Sequence, residues 1–159
     1  QAMELMLAYD NSRNARIALD TVKAMFAALK PSVTLISVVE DVGSSTAGAD
    51  DLFNTQYRAQ KAGVEAAAAE LAAEGWAAKV LLAEGDARKM ILRAIEEKKP
   101  DLLVLARHSH KPDSVPLSFI AKRLDALVEE FDHMTFGSTS AFLARRANCP
   151  LLIIPTHTA

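Results

Sequence analysis

The sequence predicts an α/β domain of the doubly wound kind: an open five-stranded parallel sheet with helices on both faces. Two observations carry this. Short apolar runs alternate along the chain with longer segments of helical periodicity, an order that demands crossover connections. The runs are apolar on successive residues, as strands covered on both faces must be. With 159 residues, half of them hydrophobic, and a formal net charge of -2, the chain suits a single domain spanning 1–159.

The first strand is "MELMLAYD" (3–10), an apolar run that stops at Asp10. Behind it, Ala15, Ala18, Leu19, Val22, Met25, Phe26 and Leu29 recur at helical spacing. Ser12 is placed to cap this helix, and Pro31 to end it before the β-branched second strand "SVTLISVVED" (32–41). Residues 42–51 have loop composition, and the Ala-rich stretch from Leu52 to Glu74 reads as a long helix stopped by Gly75. A third strand follows at 77–86, where Asp86 is set to cap a helix buried on Met90, Ile91, Ala94 and Ile95 up to Pro100. "DLLVLA" (101–106) is the fourth strand, "GSTSAFLARRAN" (137–148) a short helix, and "CPLLIIP" (149–155) the fifth strand. From Pro116 to Met134, Ile120, Leu124, Leu127, Val128 and Phe131 form one apolar stripe on a charged segment, so an extra helix is expected within 110–136, after the fourth strand.

Composition excludes several function classes. A pI near 6.1 with balanced charge lacks the clustered basic excess of a nucleic-acid or anionic-membrane binder. One cysteine, Cys149, rules out an internal disulfide framework and a cysteine-rich zinc site; it is expected in the core, and the compartment is expected to be the cytoplasm. No apolar run approaches the roughly 20 residues that span a bilayer, and the N-terminus lacks the order of a secretion signal. Met3 reads as a natural start, with Gln1 and Ala2 an appended remnant.

Three stretches in this order, "AYDNSRNARIAL", "EGDARKMILRAIEEKKPDLLVLAR" and "GSTSAFLARRANCPLLIIP", resemble the universal stress protein family. The resemblance covers nearly the whole chain apart from the inserted helix. It implies strand order 3-2-1-4-5, a homodimer, and in one branch of the family ATP or AMP held at the carboxyl edge of the sheet. The crevice of such a sheet lies where strand order reverses, between the first and fourth strands. Asp10 occupies the position of the family's nucleotide-contacting Asp, and the backbone around Val38 and Val39 is implied to face adenine.

The phosphate corner resembles the family motif G-x2-G-x9-G-[ST], in which glycines admit phosphate to backbone N–H groups and the last residue opens a helix. Gly137 and Ser138 match its end. Ala106 and Ser109 stand where the first two glycines belong, and 27 residues separate Ser109 from Gly137 instead of nine, an excess of 18. The candidate nucleotide-site residues are therefore Asp10, Val39, Ala106, His108, Ser109, Gly137 and Ser138.

Several have a plainer reading beside this one. Asp10 equally suits a turn or helix cap, and Ser138 suits the cap of the last helix. Arg107, His108, His110 and Lys111 form a cationic cluster that either replaces the lost glycines as phosphate ligands or is a solvated loop. His108, His110 and His133 with Asp132 have zinc-donor chemistry but no recognised ligand spacing, so no metal is expected.

No nucleophile–base arrangement, G-x-S-x-G or Walker sequence can be read, so catalysis is not expected. The expected function is a stress-response binding and regulatory domain. It would work as a homodimer through protein contacts, with weak or absent nucleotide binding. An ATP/AMP switch is the alternative, and an enzyme of the adenine-nucleotide α-hydrolase superfamily a further one, although "YDNSRN" stands in place of that superfamily's Ser-Gly-Gly loop. The last strand, with Leu151, Leu152, Ile153 and Ile154, is the expected dimer edge. The inserted helix would cover the crevice, pack in the dimer, or meet an unknown protein partner.

Overall fold

The structure, a computed structural model, describes residues 2–40, 49–107 and 138–156, with the backbone alone for 49, 50 and 138. Strands β1 (Glu4–Ala8), β2 (Ser32–Val39), β3 (Ala78–Glu84), β4 (Leu102–Ala106) and β5 (Leu151–Ile154) alternate with helices α1 (Arg13–Met25), α2 (Ala49–Ala73), α3 (Ala87–Lys98) and α4 (Ser138–Arg146). The sheet order is β3-β2-β1-β4-β5, every pair parallel. The expected inserted helix at 116–134, the stretch 42–48 of the expected loop and the candidate metal donors His108, His110, Asp132 and His133 lie outside the described residues.

Alternation along each strand builds two cores. Leu5, Leu7, Val33, Leu35 and Val104 pack with Ala15, Leu19 and Val22 of α1 and with Val64 and Leu71 of α2. Met6, Ile36, Leu103 and Leu105 pack with Ile91, Ala94 and Ile95 of α3 and with Leu143 of α4. Both faces of the sheet are covered, which is why its strands read as continuous apolar runs. Between the two helices of the first face, Glu70 of α2 accepts both guanidinium arms of Arg16, at 2.5 and 2.7 Å. Lys23 bridges Glu70 and Glu74 at 2.9 and 2.8 Å. The hydrogen bond from Arg16, then that from Lys23, pulls the Glu70 carboxyl from 4.5 down to about 2.

Several expectations change. The first helix ends at Met25 rather than at Pro31, because Phe26 leaves helical geometry and Lys30 turns left-handed at φ 43°. The apolar stripe therefore stops early: Met25 is 58% and Leu29 61% exposed, while Phe26 packs half-buried against the core. The second helix starts at Ala49, inside the stretch that reads as loop. Cys149 sits just before β5, half-buried against the second core rather than within it, and this burial pushes its thiol upward. The expected caps are present. Ser12 Oγ accepts the Ala15 N–H, Asp86 accepts those of Arg88 and Lys89, and Gly75 closes α2 at φ 89°.

Candidate functional site

In a parallel sheet all carboxyl ends lie on one edge, and a crevice opens where neighbouring strands send their connections to opposite faces. Here β1 leads to α1 on the first face, whereas α4, beyond β4, packs on the second. A cavity of about 690 Å³ opens at this edge, within the range that holds a drug-sized or cofactor-sized ligand. Ala15, Ile36, Ile91 and Leu105 give it apolar walls, and its polar groups come from three regions.

The first region is the turn from Tyr9 to Ser12. Asp10 Oδ1 accepts the Ser12 N–H at 3.0 Å, and Ser12 Oγ then accepts the Ala15 N–H at 3.1 Å. This chain of bonds carries the backbone from the end of β1 at Ala8 to the start of α1 at Arg13. Asn11 makes the turn at φ 69°, a left-handed conformation that asparagine tolerates better than most residues. Its carboxamide packs against Gly63 of α2 so closely that any Cβ there would collide with it.

The end of β2, with α2 above it, is the second region. Ile36 accepts from Tyr9 N–H, while Val33 N–H donates to Ala77 and Val39 accepts from Gly85 N–H. In a parallel ladder a residue's N–H and C=O point to the same side, so even-numbered residues of β2 face β1 and odd-numbered ones face β3. The Val39 carbonyl is thus spent inside the sheet. That of Val38 points the other way, past the end of β1 and over the crevice. Gln60 of α2 covers it: Nε2 donates to Val38 O at 2.9 Å and to the Oγ of buried Ser37 at 2.8 Å. Glu40 and Gln56 complete this wall.

The third region is where β4 ends and α4 begins. Ala106 and Thr139 line the cavity from there. Ala106 is ordinary strand, paired with Ile154, and pairing runs on through Arg107 N–H to Ile154 O at 2.9 Å and Thr156 Oγ1 to Arg107 O at 2.7 Å. No glycine turn starts at residue 106.

Of the sequence-derived site residues, Asp10, Val39 and Ala106 line one cavity. Ser138 is the first residue of α4, its side chain outside the described set, and His108, Ser109 and Gly137 lie outside it altogether. Asp10 is a turn former as well as a crevice residue, so its two readings are compatible. Sequence reasoning does not mark Asn11, Gln56, Gln60, Gly63 and Thr139. A usable signal exists for part of this: Gln56, Gln60 and Gly63 recur at i, i+4 and i+7, a polar strip ending in the sole glycine of an Ala-rich helix.

The described lining includes the carboxylates of Asp10 and Glu40, the amides of Asn11, Gln56 and Gln60, and the hydroxyls of Ser12 and Thr139. Histidine, cysteine and lysine do not occur in it. Among the described residues no group of three His, Cys, Asp or Glu side chains is arranged to hold a metal, and no helix is long and apolar enough to cross a membrane. The described lining offers enclosure and hydrogen bonding.

An open doubly wound sheet with its crevice at the switch point defines an α/β architecture of the doubly wound class. Within it, the chain belongs to the universal stress protein family, whose model matches residues 3–155. No curated protein sequence matches the chain. Among solved structures, the hypothetical protein MJ0577 aligns with a TM-score of 0.74 at 19% identity, covering 99% of both chains. The universal stress protein UspA of Lactobacillus plantarum aligns at 0.68 and 18%, over 97% of this chain and 98% of that one. An Arabidopsis thaliana universal stress protein family protein with AMP bound aligns at 0.61 and 16%, over 98% and 93%. At these identities the likeness is one of fold.

Proposed function

We propose that this chain is a stress-response binding and regulatory domain that works as a homodimer, whose crevice takes an adenine-nucleotide-class ligand and whose bound state is read by other proteins. The observation that carries this reading is the 690 Å³ cavity at the β1/β4 switch point, with Asp10, Val38, Gln60 and Thr139 around it. A related fold holds AMP, and the hydrogen-bonding lining here matches the needs of a ribose and a base. The sequence ranks nucleotide binding second because of Ala106 and Ser109. An open cavity moves it first, although the strand geometry at Ala106 argues for modest affinity, in the micromolar range or weaker, about -8 kcal/mol or less favourable. The proposed function is binding without turnover; among the described lining residues none is set beside a base as an activated nucleophile.

Calorimetric titration of ligand-stripped protein with ATP and Mg²⁺, and with AMP, tests the reading. Saturable binding reduced at least about tenfold in Asp10→Ala is expected. No heat with either ligand at high protein concentration would leave a module acting by protein contact alone.

A further inference from the structure

The helices on the two faces of the sheet differ in charge. On the first face α1 and α2 hold five cations and five carboxylates between them, and Arg16 and Lys23 are tied to Asp20, Glu70 and Glu74. On the second face α3 holds four cations against two carboxylates and α4 two cations against none, a local +4 in a chain of formal net charge -2. Part of this excess gathers on one aromatic ring. The guanidinium carbon of Arg146 lies 4.1 Å and that of Arg88 5.5 Å from the centre of Phe142, with Arg145 and Lys89 next to them in the chain.

We propose that this α3/α4 face is a docking surface for an acidic segment of a protein partner. The inference goes beyond the crevice reading and holds whatever the crevice binds. Helix stability does not account for where these cations stand. Arg145 and Arg146 end α4, where positive charge suits the helix dipole, but Arg88 and Lys89 occupy the first turn of α3, where it opposes the dipole. Asp86 offsets this only in part: it accepts the backbone N–H groups of both and meets the Arg88 guanidinium at 3.4 Å. Among the described residues the side chains of Lys89, Arg145 and Arg146 make no ion pair, and all three are exposed.

The ring prepares these charges for a partner. Phe142 packs half-buried against the second core, which fixes its position. A guanidinium resting on an aromatic ring contacts it through its flat face and keeps its edge N–H groups for a carboxylate. Arginines held in this way lose less freedom than loose side chains when bidentate pairs form. Since both guanidinium carbons approach one ring, carboxylates two residues apart on an extended segment, about 7 Å, are spaced to reach both. A nucleic-acid backbone fits less well, because the cationic excess is confined to one face of a chain with a pI near 6.1.

Fluorescence anisotropy tests the surface on the full chain, with a short labelled peptide of alternating Glu and Ala and with its Gln–Ala counterpart. Wild type is expected to bind the acidic peptide saturably, more weakly as salt rises, and the Gln peptide not at all. Arg88→Ala combined with Arg146→Ala should lower affinity at least about tenfold. Arg58→Ala combined with Lys61→Ala removes the same charge from exposed positions of α2 and should leave affinity unchanged. Phe142→Leu keeps every charge but frees the two guanidinium groups, and should weaken binding several-fold. The inference is overturned if wild type ignores the acidic peptide or binds both peptides alike. Equal losses in the two double variants would overturn it too, by reducing the effect to net charge. So would tighter binding of a single-stranded oligonucleotide of the same charge. A change in sedimentation of the Arg88/Arg146 variant without peptide would make the face a contact between copies instead.

Discussion

Gly63 shows how one missing side chain positions another. A Cβ on this residue would meet the Asn11 carboxamide, so glycine is what allows α2 to approach the left-handed turn at the end of β1. In Gly63→Ala the helix gains about 0.8–1.0 kcal/mol of intrinsic propensity, while Asn11 must swing out of its place. These effects oppose each other, so thermal stability should change by no more than a few degrees. On the proposed function, adenine-nucleotide affinity depends on the turn and should drop several-fold; calorimetry beside a melting curve separates the two. Asp10 is legible in the sequence because a strand ending in a carboxylate stands out locally. Gln60 stands out only as a member of the polar strip with Gln56 and Gly63, and nothing local says that it is aimed at Val38 rather than at water.

At the scale of elements, α1 and α2 are held together by charge as well as by packing. Glu70 contributes stability only while ionised. Its carboxyl is held at about 2 when folded, against 4.5 ordinarily, so the contribution is complete above 4.5 and is lost as pH falls through about 2. Because Glu70 is 35% exposed, solvent screening reduces the full linkage value to about 1 kcal/mol. Glu70→Gln should therefore lower the melting temperature by about 2–4 °C at neutral pH, and the gap should close as the pH approaches that of the folded carboxyl. Unchanged melting at neutral pH would mean that the ion pairs add nothing to packing. The helices themselves are readable from Ser12, Asp86 and Gly75, whose capping roles are set by near neighbours in the chain. Met25 and Leu29 read as buried because an apolar period persists past the point where Phe26 ends α1, and only the tertiary structure shows that no described element covers them.

For the whole molecule, the proposed assembly turns on the outer edge of β5. Leu103 N–H donates to Pro150 O and Arg107 N–H to Ile154 O, so even-numbered residues here face β4 and the backbone groups of Leu151 and Ile153 point outward. Leu151, Leu152 and Ile153 are half-buried, and no described strand pairs with this edge. A short apolar edge of this kind suits pairing with a second copy, the homodimer proposed for this chain. Ile153→Pro removes one outward donor without touching the β4 ladder, as proline on an edge strand permits. Sedimentation should find a dimer for wild type and a monomer for the variant, with little change in melting; a dimer in both would place the contact elsewhere. By itself the sequence determined the order of elements, the sheet covered on both faces and the caps, because periodicity and capping act within a few residues. Only the tertiary structure decided that Gln60 closes over Val38, that Gly63 admits Asn11 and that Val39 turns its carbonyl into the sheet. Those outcomes depend on strand parity and on the rotation of α2 about its axis, which are set by contacts between distant parts of the chain, such as Gln60 with Val38, 22 positions apart.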